Sequence, residues 1–293
     1  MTGWRGFVLA AGLGVVVLPG LGSAAEWPRT ELQDGAASPT ITSDGIAVHI
    51  VVRKIDDMAT PVAIVEAGGK EVLAIEGMAP GWDTPPGEAT IIEMDPSNPH
   101  PEVVFTSFSG GAHCCTSVKI AVSDGTGSNW QVIDAGEFDG GGEGLVEDAD
   151  GDGRGEIVVP DNSFYYQFDC YACSAAPLTV QRLEGRKLRD ASRDPRYERL
   201  MRAHLAELEG WGKEQDIKRS NGYLAGWVAS KSLVGEGAEA WAVMLKTYDK
   251  ASDWGLEVCK KPQADGSCPE GQSMTLTFPE ALATFLAERG YRL

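Results

Sequence analysis

Short apolar runs with strand-like alternation fill the first two thirds of this 293-residue chain and then stop. Each run is bounded by Gly, Pro, Asn or Asp, so the pattern predicts antiparallel strands joined by tight turns. The content of 36 Gly and 16 Pro agrees with many turns. We expect strands at residues 46–52, 61–65, 71–75, 90–93, 102–107, 117–123, 130–134, 156–160, 163–168 and 178–183. This part of the chain is therefore predicted to be all-β.

Beyond Asp194 the apolar spacing becomes helical. Asp194 can cap a helix whose first position is Pro195, and an apolar stripe then continues until Gly210. Further helices are expected from Asn221, over residues 236–248, and from a capping box at Thr277 and Glu280 to Gly290. The second part of the chain is therefore predicted to be helical.

The change of periodicity defines two predicted domains, and their charges differ. A β-rich domain over residues 26–194 holds 29 acidic and 11 basic residues, whereas a small all-α domain over residues 195–293 is close to neutral. The predicted fold class is α+β overall. Because nucleic acids and anionic lipids need a basic surface, the net charge of −18 argues against both as partners.

Residues 1–25 have the pattern of a secretory signal peptide. Arg5 precedes an apolar run from Phe7 to Leu21, and small residues follow at 22–25. An uncleaved anchor helix is the alternative, but Pro19 and several glycines interrupt the run. Cleavage would leave a chain without a transmembrane segment in an oxidising compartment. We therefore expect an exported protein, periplasmic or secreted.

All six cysteines lie beyond the signal, where disulfides are expected. Cys259 and Cys268 bracket a short loop and form the obvious pair. Two arrangements stay open for Cys114, Cys115, Cys170 and Cys173: bridges between the two segments, or one vicinal bridge and one C-x-x-C bridge. Alternatively, these four cysteines and the neighbouring His113 could form a thiolate metal site or a redox pair.

The sharpest local pattern lies between residues 147 and 159. Counted from Asp148, carboxylates occupy positions 1, 3, 5 and 9 and a glycine occupies position 6, as in loops that gather oxygen ligands around a hard cation. Position 12 is Val159, which argues against an EF-hand. A solvated acidic turn is the alternative. Calcium is the expected ion, with a lanthanide or Mn²⁺ also compatible, and the predicted ligands are Asp148, Asp150, Asp152, the carbonyl of Arg154, and Glu156.

Residues 145–161 are similar to the calcium loop of FG-GAP and VCBS-type repeats, which build integrin-like propellers and many secreted bacterial proteins. A weaker copy spans residues 91–105, with Glu102 placed 54 residues before Glu156. It lacks Asp at its third and fifth places and is one residue shorter, so we do not expect it to bind metal. The resemblance implies antiparallel strands arranged like propeller blades, although a closed propeller needs about four blades or more and only about three would fit.

No nucleophile elbow, H-E-x-x-H sequence or phosphate-binding loop occurs in the chain. The resemblance and the missing catalytic motifs together favour an exported, calcium-stabilised, non-enzymatic binding protein, whose ligand would be a protein or a glycan in the envelope or outside the cell. Tyr165 and His113 are candidates for a ligand pocket. The alternative function is an envelope protein that handles thiols or soft metals through the His-Cys-Cys and C-x-x-C segments.

Overall fold

A computed structural model describes residues 27–32, 37–112, 114–139 and 145–293. The predicted signal peptide over residues 1–25 and the candidate ligand residue His113 lie outside these ranges. The described chain forms three large antiparallel sheets, a two-stranded hairpin and four α-helices. The predicted α+β class, with strands first and most helices afterwards, is confirmed.

The first sheet is a four-stranded meander with tight turns. Asp44-Gly45 and Gly68-Gly69 join neighbouring strands with positive φ at both turn residues, the geometry that matches the twist of a hairpin. Because Asp and Gly tolerate this left-handed backbone, the local sequence sets the pairing register. The strands follow one another in the order β2 (Ile41–Ser43), β3 (Ile46–Ile55), β4 (Met58–Ala67) and β5 (Lys70–Glu76).

The second and third sheets repeat this meander. The second sheet has the order β1 (Arg29–Glu31), β6 (Gly87–Ile92), β7 (Glu102–Phe108), β8 (Thr116–Ser123) and β9 (Trp130–Phe138). The third sheet has the order β10 (Val146–Glu147), β11 (Glu156–Pro160), β12 (Leu178–Glu184) and β13 (Lys187–Asp190). Every pair of neighbouring strands in these sheets is antiparallel.

The three sheets pack face to face, with the second sheet in the middle. Val103 and Phe105 contribute to the core shared with the first sheet, whereas Val104 contributes to the core shared with Ile157 and Val159 of the third sheet. Strand β7 is therefore buried on both faces, although its sequence includes Glu102, Thr106 and Ser107. Among the described residues, the sheets do not close into a barrel or a propeller.

The outer face of the third sheet carries the helices. Val158 and Val180 share a core with Tyr197, Met201 and Leu205. A second apolar core lies among the helices and includes the segment between β11 and β12. The helices are α1 (Glu198–Glu214), α2 (Asn221–Leu233), α3 (Gly237–Thr247) and α4 (Phe278–Glu288). The capping box at Thr277 and Glu280 is present at the start of α4.

The strand predicted at residues 163–168 is wrong. Residues 162–164 form a short 3-10 turn, and Tyr166 has a left-handed backbone with φ of 60°. Phe164 and Phe168 are buried among the helices, whereas Tyr166 is exposed. Aromatic residues at positions 164, 166 and 168 suggested the alternation of a strand. Of these, only Phe164 and Phe168 face the core.

Two details of the predicted helical domain also need correction. Helix α1 does not stop at Gly210: it continues to Glu214, and the buried Gly212 in its last turn packs closely against the Tyr223 ring. The region is not purely helical, since β14 (Glu257–Cys259) and β15 (Ser273–Thr275) form a small hairpin before α4. Cys259, one end of the predicted disulfide loop, pairs with Ser273 in this hairpin.

Candidate functional site

The acidic loop, residues 148–155, joins β10 to β11 and is closed by its own first carboxylate. Asp148 accepts hydrogen bonds from the backbone N–H groups of Gly151 at 2.8 Å and Gly153 at 3.0 Å. Both glycines have positive φ, which lets the chain turn tightly enough for these contacts. The two glycines therefore set the shape of the acidic loop. Its aspartate side chains point towards the interior of the loop or lie along its rim.

Three of the predicted ligands come together. Carboxylate oxygens of Asp148, Asp150 and Glu156 lie within 4.8 Å of one another. Oxygens that bind one calcium ion at about 2.3–2.6 Å are separated by no more than about 5 Å, so the spacing fits a shared cation. The side chains of Asp150 and Glu156 are only 6% and 1% exposed.

Asp152 and Arg154 lie towards the rim of the loop. The Oδ1 atom of Asp152 accepts a hydrogen bond from the backbone N–H of Arg154 at 3.0 Å, and its other oxygen lies 3.9 Å from the Arg154 side chain. Asp152 is not part of the group of three converging carboxylates. Its role, and that of the Arg154 carbonyl, stay predictions.

Two arginines that the sequence pattern did not identify reach the same carboxylates. Arg182 of β12 lies 3.9 Å from Asp150, 3.3 Å from Asp152 and 3.7 Å from Glu156. Arg196 lies 3.3 Å from Asp150. Arg182 donates a hydrogen bond to Asp152 and Arg196 donates one to Asp150, both at 3.3 Å, which is longer than the about 2.7–2.9 Å usual for charge-assisted N–H···O bonds.

Glu156 and Tyr197 form the buried floor of the site. Burial raises the pKa of Glu156 to about 7, against the lowering effect of the Ala149 N–H group, which donates to Glu156 at 3.1 Å. The Tyr197 side chain is fully buried, and its hydroxyl makes no hydrogen bond of standard geometry with the described residues. Burial and the charge of Glu156 raise the pKa of Tyr197, so the hydroxyl keeps its proton beside the carboxylate.

The upstream copy of the loop, residues 93–101, has a different interior. Glu102 begins β7 as Glu156 begins β11, and it accepts hydrogen bonds from the N–H groups of Met94 at 2.8 Å and Asp95 at 3.2 Å. The Asn98 side-chain amide donates to its second oxygen at 2.7 Å. Burial raises the pKa of Glu102 to about 7 although these hydrogen bonds lower it. An amide group of the same loop thus supplies the donor for the second oxygen of Glu102.

A cavity of about 320 Å³ lies where the third sheet meets the helices. One wall is the segment after β11, including Tyr165 and Tyr171, and the other is the face of α1 that carries His204, Glu207 and Trp211. The two tyrosine rings lie side by side, with centroids 5.0 Å apart. Tyr165, a predicted pocket residue, therefore lines a cavity, whereas His113 lies outside the described residues.

All six cysteines are described, and the structure places them in three disulfides. The pairs are Cys114–Cys115, Cys170–Cys173 and Cys259–Cys268. The first two are the local arrangement of the two that the sequence left open. Because every sulfur is bonded to another, this state offers no thiolate to a soft metal.

Comparisons with known proteins give the family. The family model described as the sll0997 C-terminal domain matches residues 201–290. The probable thylakoid lumen protein sll0997 of Synechocystis sp. is 39% identical over 234 residues, which cover 79% of this chain and 68% of that protein. The uncharacterized protein y4bJ of Sinorhizobium fredii is 41% identical over 223 residues, which cover 76% of this chain and 35% of that protein. The chain belongs to the sll0997 family.

These findings overturn the predicted membership of the FG-GAP and VCBS-type repeat proteins. The matching family and the relatives are not repeat proteins of that kind. The resemblance rested on about 17 residues, and a run of Asp and Gly before an apolar strand describes one tight acidic turn rather than a whole fold. No solved structure matches the chain. Among the described residues, no helix is long and apolar enough to span a membrane.

Proposed function

We propose that this member of the sll0997 family is an exported, non-enzymatic binding protein whose fold is stabilised by one calcium ion in the acidic loop. Three features support export. Residues 1–25 have the pattern of a signal peptide, the cysteines are paired as expected in an oxidising compartment, and one relative carries the name of a probable lumen protein. A periplasmic or secreted location follows from the same proposal.

The convergence of Asp148, Asp150 and Glu156 is the observation that carries the calcium proposal. Two of these side chains are almost fully buried, and burying several carboxylates without a close cation is costly. Arg182 offsets part of the charge, but its nitrogens lie 3.3–3.9 Å from the carboxylates. Calcium fits this all-oxygen set better than a softer metal does, and exported proteins meet it at high concentration.

The ion would hold together parts of the chain that are distant in sequence. The acidic loop contacts Arg182 on β12 and Arg196 just before α1, and Tyr197 lies under Glu156. Neutralising the carboxylates would therefore stabilise the junction between the third sheet and the helices. The proposed role of calcium is structural, and a protein or glycan ligand would bind elsewhere on the surface.

Calorimetric titration of the mature protein with Ca²⁺ tests this proposal. We expect one ion per chain and no measurable binding by the Asp150→Asn variant. Asp134→Asn is the matched control, because Asp134 also accepts a backbone hydrogen bond, from Gly136, but is exposed on β9. Absence of calcium binding by the wild-type protein, or unchanged binding by Asp150→Asn, would contradict the site.

A further inference from the structure

We propose that the cavity between α1 and the segment after β11 binds a small organic cation, an alkylated ammonium group carried by a soluble molecule. The proposal goes beyond the calcium-stabilised fold, because the cavity shares no lining residue with the acidic loop. Its volume of about 320 Å³ suits a small molecule rather than a folded partner.

Aromatic rings supply the first part of the argument. Tyr165 and Tyr171 lie on one wall and Trp211 on the other, so aromatic rings line the cavity on both sides. Faces of Trp and Tyr rings attract cations through their quadrupoles, and desolvated sites strengthen this attraction. Tyrosine and tryptophan cages of this composition recognise alkylated ammonium groups.

The second part is the sign of the local charge. Glu207 lines the cavity, and among the described lining residues there is no Lys or Arg. The Tyr171 hydroxyl donates a hydrogen bond to Asp139, which lies behind the lining residues, and the other oxygen of Asp139 is buried with no hydrogen-bond partner among the described residues. Donation to a carboxylate increases the electron density of the Tyr171 ring. These features favour a cation and disfavour an anion.

The polar groups also argue against a sugar in this cavity. A sugar needs several partners for its hydroxyl groups, but the available side chains are few. The Ser174 hydroxyl is used by the Cys170 carbonyl at 2.8 Å, and His204 is held by the Ala176 carbonyl at 3.0 Å. The lining is otherwise mainly apolar, with Pro160, Leu208 and three alanines. An ammonium group with methyl substituents matches both the apolar surface and the negative charge.

The walls are held in place before a ligand binds. The Cys170–Cys173 disulfide closes the turn that carries Tyr171 and Ala172. On the facing wall, His204, Glu207 and Trp211 follow the helical spacing of α1 and so share one face. A preformed cavity loses less conformational entropy on binding than a flexible loop does.

Choline and its neutral carbon isostere, in which carbon replaces the quaternary nitrogen, are the probes for this proposal. Calorimetry on the full mature protein with calcium present should give a Kd for choline about tenfold lower than for the isostere, the difference expected from cation–π attraction in a desolvated site. Equal binding of the two probes, or binding of neither, would overturn the proposal. Pelleting with phosphatidylcholine vesicles without binding of free choline would also overturn it, because the ligand would then be a membrane surface.

Variants locate the binding. Tyr165→Leu and Trp211→Leu should each weaken choline binding about tenfold, whereas Tyr165→Phe keeps the ring and should change the Kd less than about threefold. Trp82→Leu is the control, because Trp82 is exposed in the β-rich part and packs near Phe108 instead. Choline binding that survives both leucine variants would place the ligand elsewhere and refute the assignment. Repeating the titration in EDTA separates this result from the calcium proposal.

Discussion

Two loops of the molecule solve the same structural problem with different groups. The loop at residues 93–101 and the acidic loop each end at a buried glutamate that begins a strand, Glu102 or Glu156, and each glutamate accepts backbone hydrogen bonds from the start of its loop. In the first loop the Asn98 amide donates to the remaining oxygen at 2.7 Å. In the acidic loop the Arg182 Nε atom lies 3.7 Å from the corresponding oxygen of Glu156.

The difference explains why we assign a cation to one loop alone. The first loop supplies its own donor, and Asn98 is fixed in turn by His100 and Ser123, which donate to its carbonyl oxygen. The acidic loop replaces this amide by further carboxylates, which repel Glu156 unless a positive charge lies among them. The two loops also touch, since the Gly155 N–H donates to the Glu93 carbonyl at 2.8 Å. Their interiors can therefore be compared within one packing environment.

The largest expected effect is the loss of the Asn98 amide. Asn98→Ala should lower the free energy of unfolding by about 2–3 kcal/mol, because one oxygen of buried Glu102 loses its donor and several turn contacts disappear with it. Chemical denaturation measures this change, with exposed Ser97→Ala as the control. Calcium should not restore the lost stability. Rescue by calcium would show that the first loop can also bind a cation. It would contradict the assignment of a cation to the acidic loop alone.

The pH dependence of stability sharpens the comparison next. Because the pKa of Glu102 rises from an ordinary 4.5 to about 7 on folding, the folded protein binds more protons between these values. Stability should therefore fall as the pH rises from about 4.5 to about 7 and change little above that range.

Glu102→Gln isolates that contribution. In this variant the free energy of unfolding should fall less with pH than it does in the wild type. Both proteins are measured in EDTA, so the contribution of Glu156 is the same in each and cancels in the comparison. Exposed Glu71→Gln is the control and should keep the wild-type slope. Denaturation curves between pH 4.5 and pH 8 measure the difference, and parallel curves for wild type and Glu102→Gln would show that Glu102 folds in its charged form.

The smallest expected effect concerns Arg182. Arg182→Met should destabilise the calcium-free protein by about 1–2 kcal/mol, because the partly buried Arg182 lies within 4 Å of three carboxylates. With calcium bound the loss should be smaller, since the ion supplies the missing charge. Arg189→Met is the control, because Arg189 forms an exposed ion pair with Glu184. Equal losses of stability with and without calcium would show that Arg182 balances the carboxylates in both states and that the ion does not replace it.

Local patterns predicted local structure well. The spacing of Asp and Gly gave the acidic loop before an apolar strand, and the capping box gave the start of α4. Neighbours from distant segments were not predictable: Arg182 reaches the loop because β12 pairs with β11, and Arg196 and Tyr197 reach it because the third sheet and α1 pack together. No local spacing connects them to Asp150. The same limit explains the wrong family, since the Asp-Gly pattern describes a turn and not the sheets around it.

The helical half shows why periodicity alone misleads. Aromatic residues at 164, 166 and 168 suggested a strand, but the buried pair Phe164 and Phe168 packs against α4 through Phe285. Gly210 suggested a helix end, but α1 continues past it. Gly212, two residues later, packs against the Tyr223 ring. In both places tertiary packing decided the local structure, and a single sequence carries no direct sign of it.

Thermal melting of the mature protein in EDTA and in excess Ca²⁺, at matched ionic strength, tests the central claim most directly. A ligand at about 100 times its Kd adds about 2.7 kcal/mol of stability, which corresponds to a rise in Tm of roughly 5 °C or more for a chain of this size. We expect this rise for the wild-type protein and its loss in Asp150→Asn. Melting curves that overlay in EDTA and Ca²⁺ would contradict the account and leave the acidic loop as a turn balanced by Arg182 and Arg196.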